Sequence, residues 1–196
     1  MAKRGASEQH ALDDAAVTRL WNACATLEDK VLIGLTMMCG MRISEATHLQ
    51  GDWIRTSDFD TEIIVPPTME CGCFECRGLG YWKPKSKAGA RAIPVPEAFE
   101  KYLLEFITHQ PKGLGFVRQT GWRKVKILAI VAKIPYLNPH ALRATAATNY
   151  AKAEFSAIEL CYIMGWSRIE IGAHYLQMIQ ARQGVAAKMK KVYRSG

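Results

Sequence analysis

The chain has 196 residues, 49% of them hydrophobic and 22% charged, which suits one compact domain with its own core and excludes large-scale disorder. Its formal net charge of +8 favours a polyanionic partner such as nucleic acid or an anionic surface. No run approaches the roughly 18 apolar residues of a membrane span, and the opening "MAKRGASEQHALDD" has no apolar core of the kind a secretory signal needs. An intracellular protein is therefore expected, whose cysteines are thiols or metal ligands rather than disulfides.

In chain order, residues 12–26 show a helical period, with Leu12, Ala16, Leu20 and Ala23 or Cys24 on one face. Thr26 and Asp29 then stand at capping-box spacing. Val31, Leu32, Leu35 and Met38 continue an apolar helix until Gly40, and "RISEATHL" starts a short one at once. Residues 61–95 change character. "TEIIVPP", "GYWKPK" and "ARAIPVP" read as three strands punctuated by Pro and Gly, a small antiparallel sheet whose first connection is lengthened by a cysteine segment.

From residue 97 the pattern is helical again. "PEAFEKYLLEFITH" and "GWRKVKILAIVAK" are followed by "NPHALRATAATNYAKA", where Asn138 is a natural N-cap and Pro139 fits the first helical position. Ser156 with Glu159 and Ser167 with Glu170 make two further capping boxes, and Gly165 ends the helix between them. The tail "AAKMKKVYRSG" is a basic segment, read as a last helix that frays. The fold class is α+β, mostly α, with the sheet inserted after the first helices.

Several residues can carry chemistry. His140 and Arg143 share a face in the first turn of their helix, a placement that suits a docked anion. Arg42 follows a glycine stop with Glu45 three positions on, which by itself is a local pair worth about 0.2–0.5 kcal/mol. Trp166 lies in a tight turn between two helices, and Tyr175 follows nine residues later. Cys24, Cys39 and Cys161 lie in apolar stretches and read as small core residues.

Taken together, "GMRISEA", "PKSKAGARAIPVP", "HALRATAATNYA", "MGWS" and "HYLQ" resemble the catalytic domain of the tyrosine recombinases, the phage-type integrases. Each motif is weak alone, but their order and the Trp166-to-Tyr175 separation make the resemblance specific, and it runs from about residue 12 to residue 180. It implies the family's catalytic fold and a site-specific recombinase that cleaves and rejoins DNA through a 3′-phosphotyrosyl intermediate. Tyr175 would be the nucleophile. Arg42 and Arg143 would clamp the scissile phosphate, which two planar forks suit better than lysines. His140 would assist as an acid–base or hydrogen-bonding group, and Trp166 takes a position the family fills with His or Trp. Glu45 would brace the site. A lysine on the sheet would protonate the leaving 5′ oxygen, and the family's P-K-T-x-x-x-x-R-x-I-P hairpin points to Lys85, with Lys87 the alternative.

The resemblance implies no metal and no ATP for the chemistry, because bond energy is kept in the covalent intermediate. Its implied partners are double-stranded DNA with paired recombination sites and three further copies of the chain, a homotetramer on DNA and a monomer or weak oligomer when free, in the cytoplasm or nucleoid of a prokaryotic host. Residues 1–196 are expected to form a single catalytic domain without the family's N-terminal core-binding domain, with a flexible start over 1–11 and a tail over 181–196 exchanged between subunits. DNA affinity would then be weak and salt-dependent. Two rival readings are a type IB topoisomerase-like strand transferase and a non-enzymatic zinc-knuckle DNA-binding module.

Cys71, Cys73 and Cys76 are spaced C-x-C-x-x-C. A closed zinc site takes four ligands, and the segment supplies three. His48 or His109 could complete it, but nothing in the sequence places either nearby, so reduced thiols in a loop are favoured over a structural zinc.

Overall fold

In a computed structural model, residues 11–58 and 60–192 are described, so the expected flexible start lies, except for Ala11, outside the described residues. Helix α1 (Asp14–Ala23) starts where Asp13 accepts a hydrogen bond from the Ala16 N–H, and α2 (Leu27–Met37) opens with the expected Thr26–Asp29 capping box. All seven residues from Val31 to Met37 are buried, so α2 runs through the core once past its polar first turn. It packs on α4 (Glu97–His109) and α6 (Pro139–Lys152). A Cβ on Gly34 would stand 2.2 Å from the Phe99 ring, so only glycine lets α2 and α4 approach this closely. The short α3 (Ile43–Ala46) follows the Gly40 turn.

The sheet differs from expectation in its membership. It has three antiparallel strands in the order β1 (Ile54–Thr56), β2 (Thr61–Val65) and β5 (Arg91–Pro94), with Ile54 opposite Ile63 and Ile63 opposite Ile93. The "TEIIVPP" and "ARAIPVP" segments pair directly. The middle expected strand shrinks to β4 (Tyr81–Trp82), which pairs with β3 (Met69–Glu70) in a separate two-stranded ribbon. The β1 segment "IRT" is too short and too polar to announce itself, and takes its place through pairing with β2. Burial alternates along β2 and β5, so Arg91 and Ile93 both point inward from β5.

Helix α5 (Arg118–Val131) leads to α6, α7 (Ala157–Met164) and α8 (Ile169–Val192). Asn138 caps α6 and the Ser156–Glu159 box caps α7, as expected. Helix α8 begins one position later than a Ser167 cap would place it, and it runs unbroken into the basic segment instead of giving way to a separate last helix. Cys24 and Cys39 are buried as expected, whereas Cys161 is only half-buried on α7.

Candidate active site

The site is organised by the end of one helix. Gly165, in the left-handed conformation at φ +58°, closes α7, and the Trp166 N–H turns back to the Cys161 carbonyl. The Gly165 N–H reaches the Tyr162 carbonyl, and the carbonyls of Ile163, Met164 and Gly165 would be left without helix partners. Three arginines from three different elements take them: Arg91 Nε donates to Ile163 O at 2.8 Å, Arg143 Nη2 donates to Met164 O, and Arg42 Nη2 donates to Gly165 O at 3.1 Å. The negative end of the α7 dipole thus faces three guanidinium groups.

Glu45 joins the same three. Its Oε2 accepts from the Arg42 backbone N–H at 2.9 Å and from Arg91 Nη2 at 3.0 Å, and its Oε1 accepts from Arg42 Nη1 at 2.7 Å. Arg143 Nη1 stands 4.0 Å from Oε2 and donates to the Gly40 carbonyl. Burial by itself would raise the Glu45 pKa, but Arg91, Arg143 and Arg42 hold it below its ordinary value of 4.5. Burial, together with Arg42, pushes Arg143 down to about 9, which leaves it charged at neutral pH. Three cations around one carboxylate leave an excess of two positive charges, an arrangement ready for an anion.

Above this cluster lies a cleft of about 770 Å³, whose walls include Arg42, Glu45, Lys85, His140 and Arg143. His140 is exposed there, and burial of its ring, then Arg143, Lys85 and Arg42, lowers its pKa below 6.5. Its imidazole is therefore mainly neutral at pH 7. The first-turn amides of α6 are already taken, since Asn138 Oδ1 accepts from the N–H groups of both His140 and Ala141. The positive charge of the site belongs to side chains.

Lys85 is not on a strand. It follows β4 in a loop, and Lys87 opens a 3-10 turn over Lys87–Gly89, so the two lysines do not share a strand face. Of the two, Lys85 is the one that lines the cleft. Trp166 and Tyr175 stack on each other, with ring centroids 5.1 Å apart and planes at 28°. Tyr175 is 5% exposed, and its phenol is close enough to Arg143 to act on the guanidinium electrostatically.

The structure thus brings Arg42, Glu45, Lys85, His140 and Arg143 to one cleft, whereas Trp166 and Tyr175 are not among its lining residues and are tied to the site through the Gly165 turn and through Arg143. The sequence reading missed Arg91, which bridges Glu45 and the end of α7. Its signal was an arginine on the inward phase of a strand, inside the hairpin motif already singled out.

Comparison with known proteins bears on the family and the fold. A model of the phage integrase family matches residues 10–182. The transposase from transposon Tn916 of Enterococcus faecalis and that from Tn1545 of Streptococcus pneumoniae are each 27% identical over 173 aligned positions, covering 75% of this chain and 41% of theirs. The chain therefore spans about two fifths of the length of these curated relatives. Among solved structures, XerA recombinase superposes with a TM-score of 0.69 at 16% identity, over 95% of this chain and 65% of the other. The Tn1549 transposon integrase, in complex with transposon right end DNA, superposes with a TM-score of 0.61 at 23% identity, over 84% and 60%. With a fold shared with these recombinases and a family match over nearly its whole length, the chain belongs to the phage integrase family, the tyrosine recombinases.

Proposed function

We propose that this chain cleaves and rejoins DNA by transesterification at Tyr175, as the catalytic part of a site-specific recombinase. The observation that carries this reading is the excess of two positive charges held by Arg42, Arg91 and Arg143 around Glu45, open to a cleft and next to a tyrosine. Arg42 and Arg143 bind the non-bridging oxygens of a phosphodiester and meet the charge that develops in the transition state. Their orientation before any substrate arrives, on helix-end carbonyls and Glu45, supports such preorganised stabilisation.

The phenolic oxygen of Tyr175 attacks phosphorus and gives up its proton to the neutral imidazole of His140, while the bond from phosphorus to the 5′ oxygen breaks. The leaving oxygen takes a proton from Lys85, whose place on the cleft wall supports that role over Lys87. Trp166 donates its indole N–H to a phosphate oxygen. Attack by a 5′ hydroxyl on the phosphotyrosyl bond reverses the sequence and joins the strands. No outside energy source is needed, because the bond energy stays in the intermediate. The DNA partners, the pairing of sites and the tetrameric assembly expected of the family are part of this proposal, as is treatment of residues 1–196 as one catalytic unit.

The test is incubation with nicked duplexes tiled across the DNA that flanks the gene. A covalent protein–DNA adduct should form and be absent in Tyr175→Phe. Absence of an adduct with the unaltered chain on every duplex would overturn the reading. Relaxation of supercoiled plasmid without site preference would instead indicate the topoisomerase-like alternative.

A further inference from the structure

The cysteine segment is not used by the site just described, yet it folds against it. Residues 71–80 connect β3 to β4 in two successive tight turns. The Cys73 carbonyl accepts from the N–H groups of Cys76 and Arg77, and the Cys76 carbonyl accepts from those of Leu79 and Gly80. The loop has little apolar anchoring of its own, since Phe74 and Leu79 are 70% and 66% exposed. Its inward-facing side chains converge on a histidine from the far end of the α3 segment. His48 Nε2 lies 3.5 Å from both Cys73 Sγ and Cys76 Sγ, and the ligand atoms of His48, Cys71, Cys73 and Cys76 all lie within 4.8 Å of one another.

The two His48-to-sulfur distances fit a tetrahedral ion, and the remaining donor atoms are close enough to be drawn onto it. With Zn–S near 2.3 Å and Zn–N near 2.0–2.1 Å, the S···N edges of a tetrahedron are about 3.6 Å and the S···S edges about 3.8 Å. The imidazole is also set in the right tautomer. Its Nδ1 is 2.7 Å from the Ser44 carbonyl, which can only accept, so Nδ1 carries the hydrogen and the Nε2 lone pair faces the sulfurs. The ring is held from the side by Trp82, stacked at 5.3 Å and 21°, whose indole N–H donates to Ser44 Oγ at 3.0 Å. A single lone pair aimed at two thiols is a poor hydrogen-bonding arrangement and a good metal-binding one.

We infer that His48, Cys71, Cys73 and Cys76 form a structural zinc site that staples the β3–β4 loop to the segment carrying Arg42 and Glu45. Three thiolates and one imidazole fill the four positions of a closed site, which leaves none open for a reacting water. Binding releases the three thiol protons. The staple reaches the active cleft at both ends: Ser44 and Glu75, which lies between Cys73 and Cys76, line the cleft, and Trp82 precedes Lys85 by three residues. The zinc thus fixes the path of the chain that delivers Lys85. The metal site stands on its own geometry, and only its effect on Lys85 rests on the function proposed above.

The experiment is metal analysis of the full chain, produced reduced and purified without chelator, followed by exchange of zinc for cobalt(II). About one zinc per chain is expected, with the visible d–d absorption and sulfur-to-metal charge transfer of tetrahedral thiolate-bound cobalt. His48→Ala and Cys73→Ser should each weaken zinc binding at least tenfold in competition with a chromogenic chelator, and Cys161→Ser, outside the cluster, should leave it unchanged. A reduced wild-type chain in which Cys71, Cys73 and Cys76 titrate as free thiols, with no bound zinc and no tetrahedral cobalt spectrum, would overturn the inference. So would a folded His48→Ala variant with unchanged zinc affinity, since the fourth ligand would then lie elsewhere. A zinc-loaded chain that forms no DNA adduct would count against the proposed function and leave the metal site standing.

Discussion

Arg91 Nη2 and Glu45 Oε2 are 3.0 Å apart, and both side chains are 1% exposed. This is a buried ion pair between a strand and a short helix, and it links the sheet to the helix end that carries the catalytic candidates. Removing one partner leaves the other charged and desolvated. Glu45→Gln, which leaves three arginines facing one another, is expected to destabilise the fold by about 3–5 kcal/mol. Arg91→Met should cost a similar amount, and urea unfolding of both variants against the parent measures it.

The same pair predicts an acid limb in stability. The folded-state pKa of Glu45 is held below its ordinary 4.5, so its contribution is complete above the unfolded value, about 4.3. It is lost as pH falls through the folded value. Unfolding free energy measured from pH 7 downward should fall below about pH 4.5, with a shallower fall in Glu45→Gln.

His140 should titrate below 6.5, because burial, Arg143, Lys85 and Arg42 all disfavour its imidazolium. Lys85→Ala removes one of those cations and should move the pKa upward. NMR titration of the histidine ring protons reads both values directly. A His140 pKa unmoved in Lys85→Ala would separate the two side chains.

Gly165 is a point where the backbone sets the site. A Cβ there would stand 2.9 Å from the Ala88 carbonyl oxygen and 3.0 Å from Arg91 Nη1, on a backbone at φ +58°. Gly165→Ala should cost more than about 1 kcal/mol, because the left-handed conformation is strained for alanine and the arginine must shift. Cleavage should drop as well, since Arg42 is oriented by the Gly165 carbonyl. Thermal unfolding and adduct yield report the two effects.

Lys85→Ala should lower the rate of strand cleavage by about 10²–10⁴-fold, the usual range for a lost general acid. Lys87→Ala should stay within a few-fold of the parent. A substrate with sulfur in place of the leaving 5′ oxygen needs no proton, so it should restore cleavage in Lys85→Ala and leave Tyr175→Phe inactive.

Local signals determined much of this protein. The Thr26–Asp29 and Ser156–Glu159 boxes, the Asn138–Pro139 start and the Gly165 stop each act within one helical turn, so the sequence alone located those helix ends. The order of Arg42, Lys85, His140, Arg143, Trp166 and Tyr175 was equally legible, because a motif is a property of spacing. Strand membership was not, since β1 and the β3–β4 ribbon are too short to carry a period and are defined by their partners. The same holds for contacts between distant residues. Arg91 meets Glu45 across 46 positions, and His48 meets Cys76 across 28. Only the folded chain decides that three arginines converge on the last carbonyls of α7, or that His48 comes to lie beside Cys71, Cys73 and Cys76, because those pairings are set by packing of the whole core and not by any neighbour in sequence.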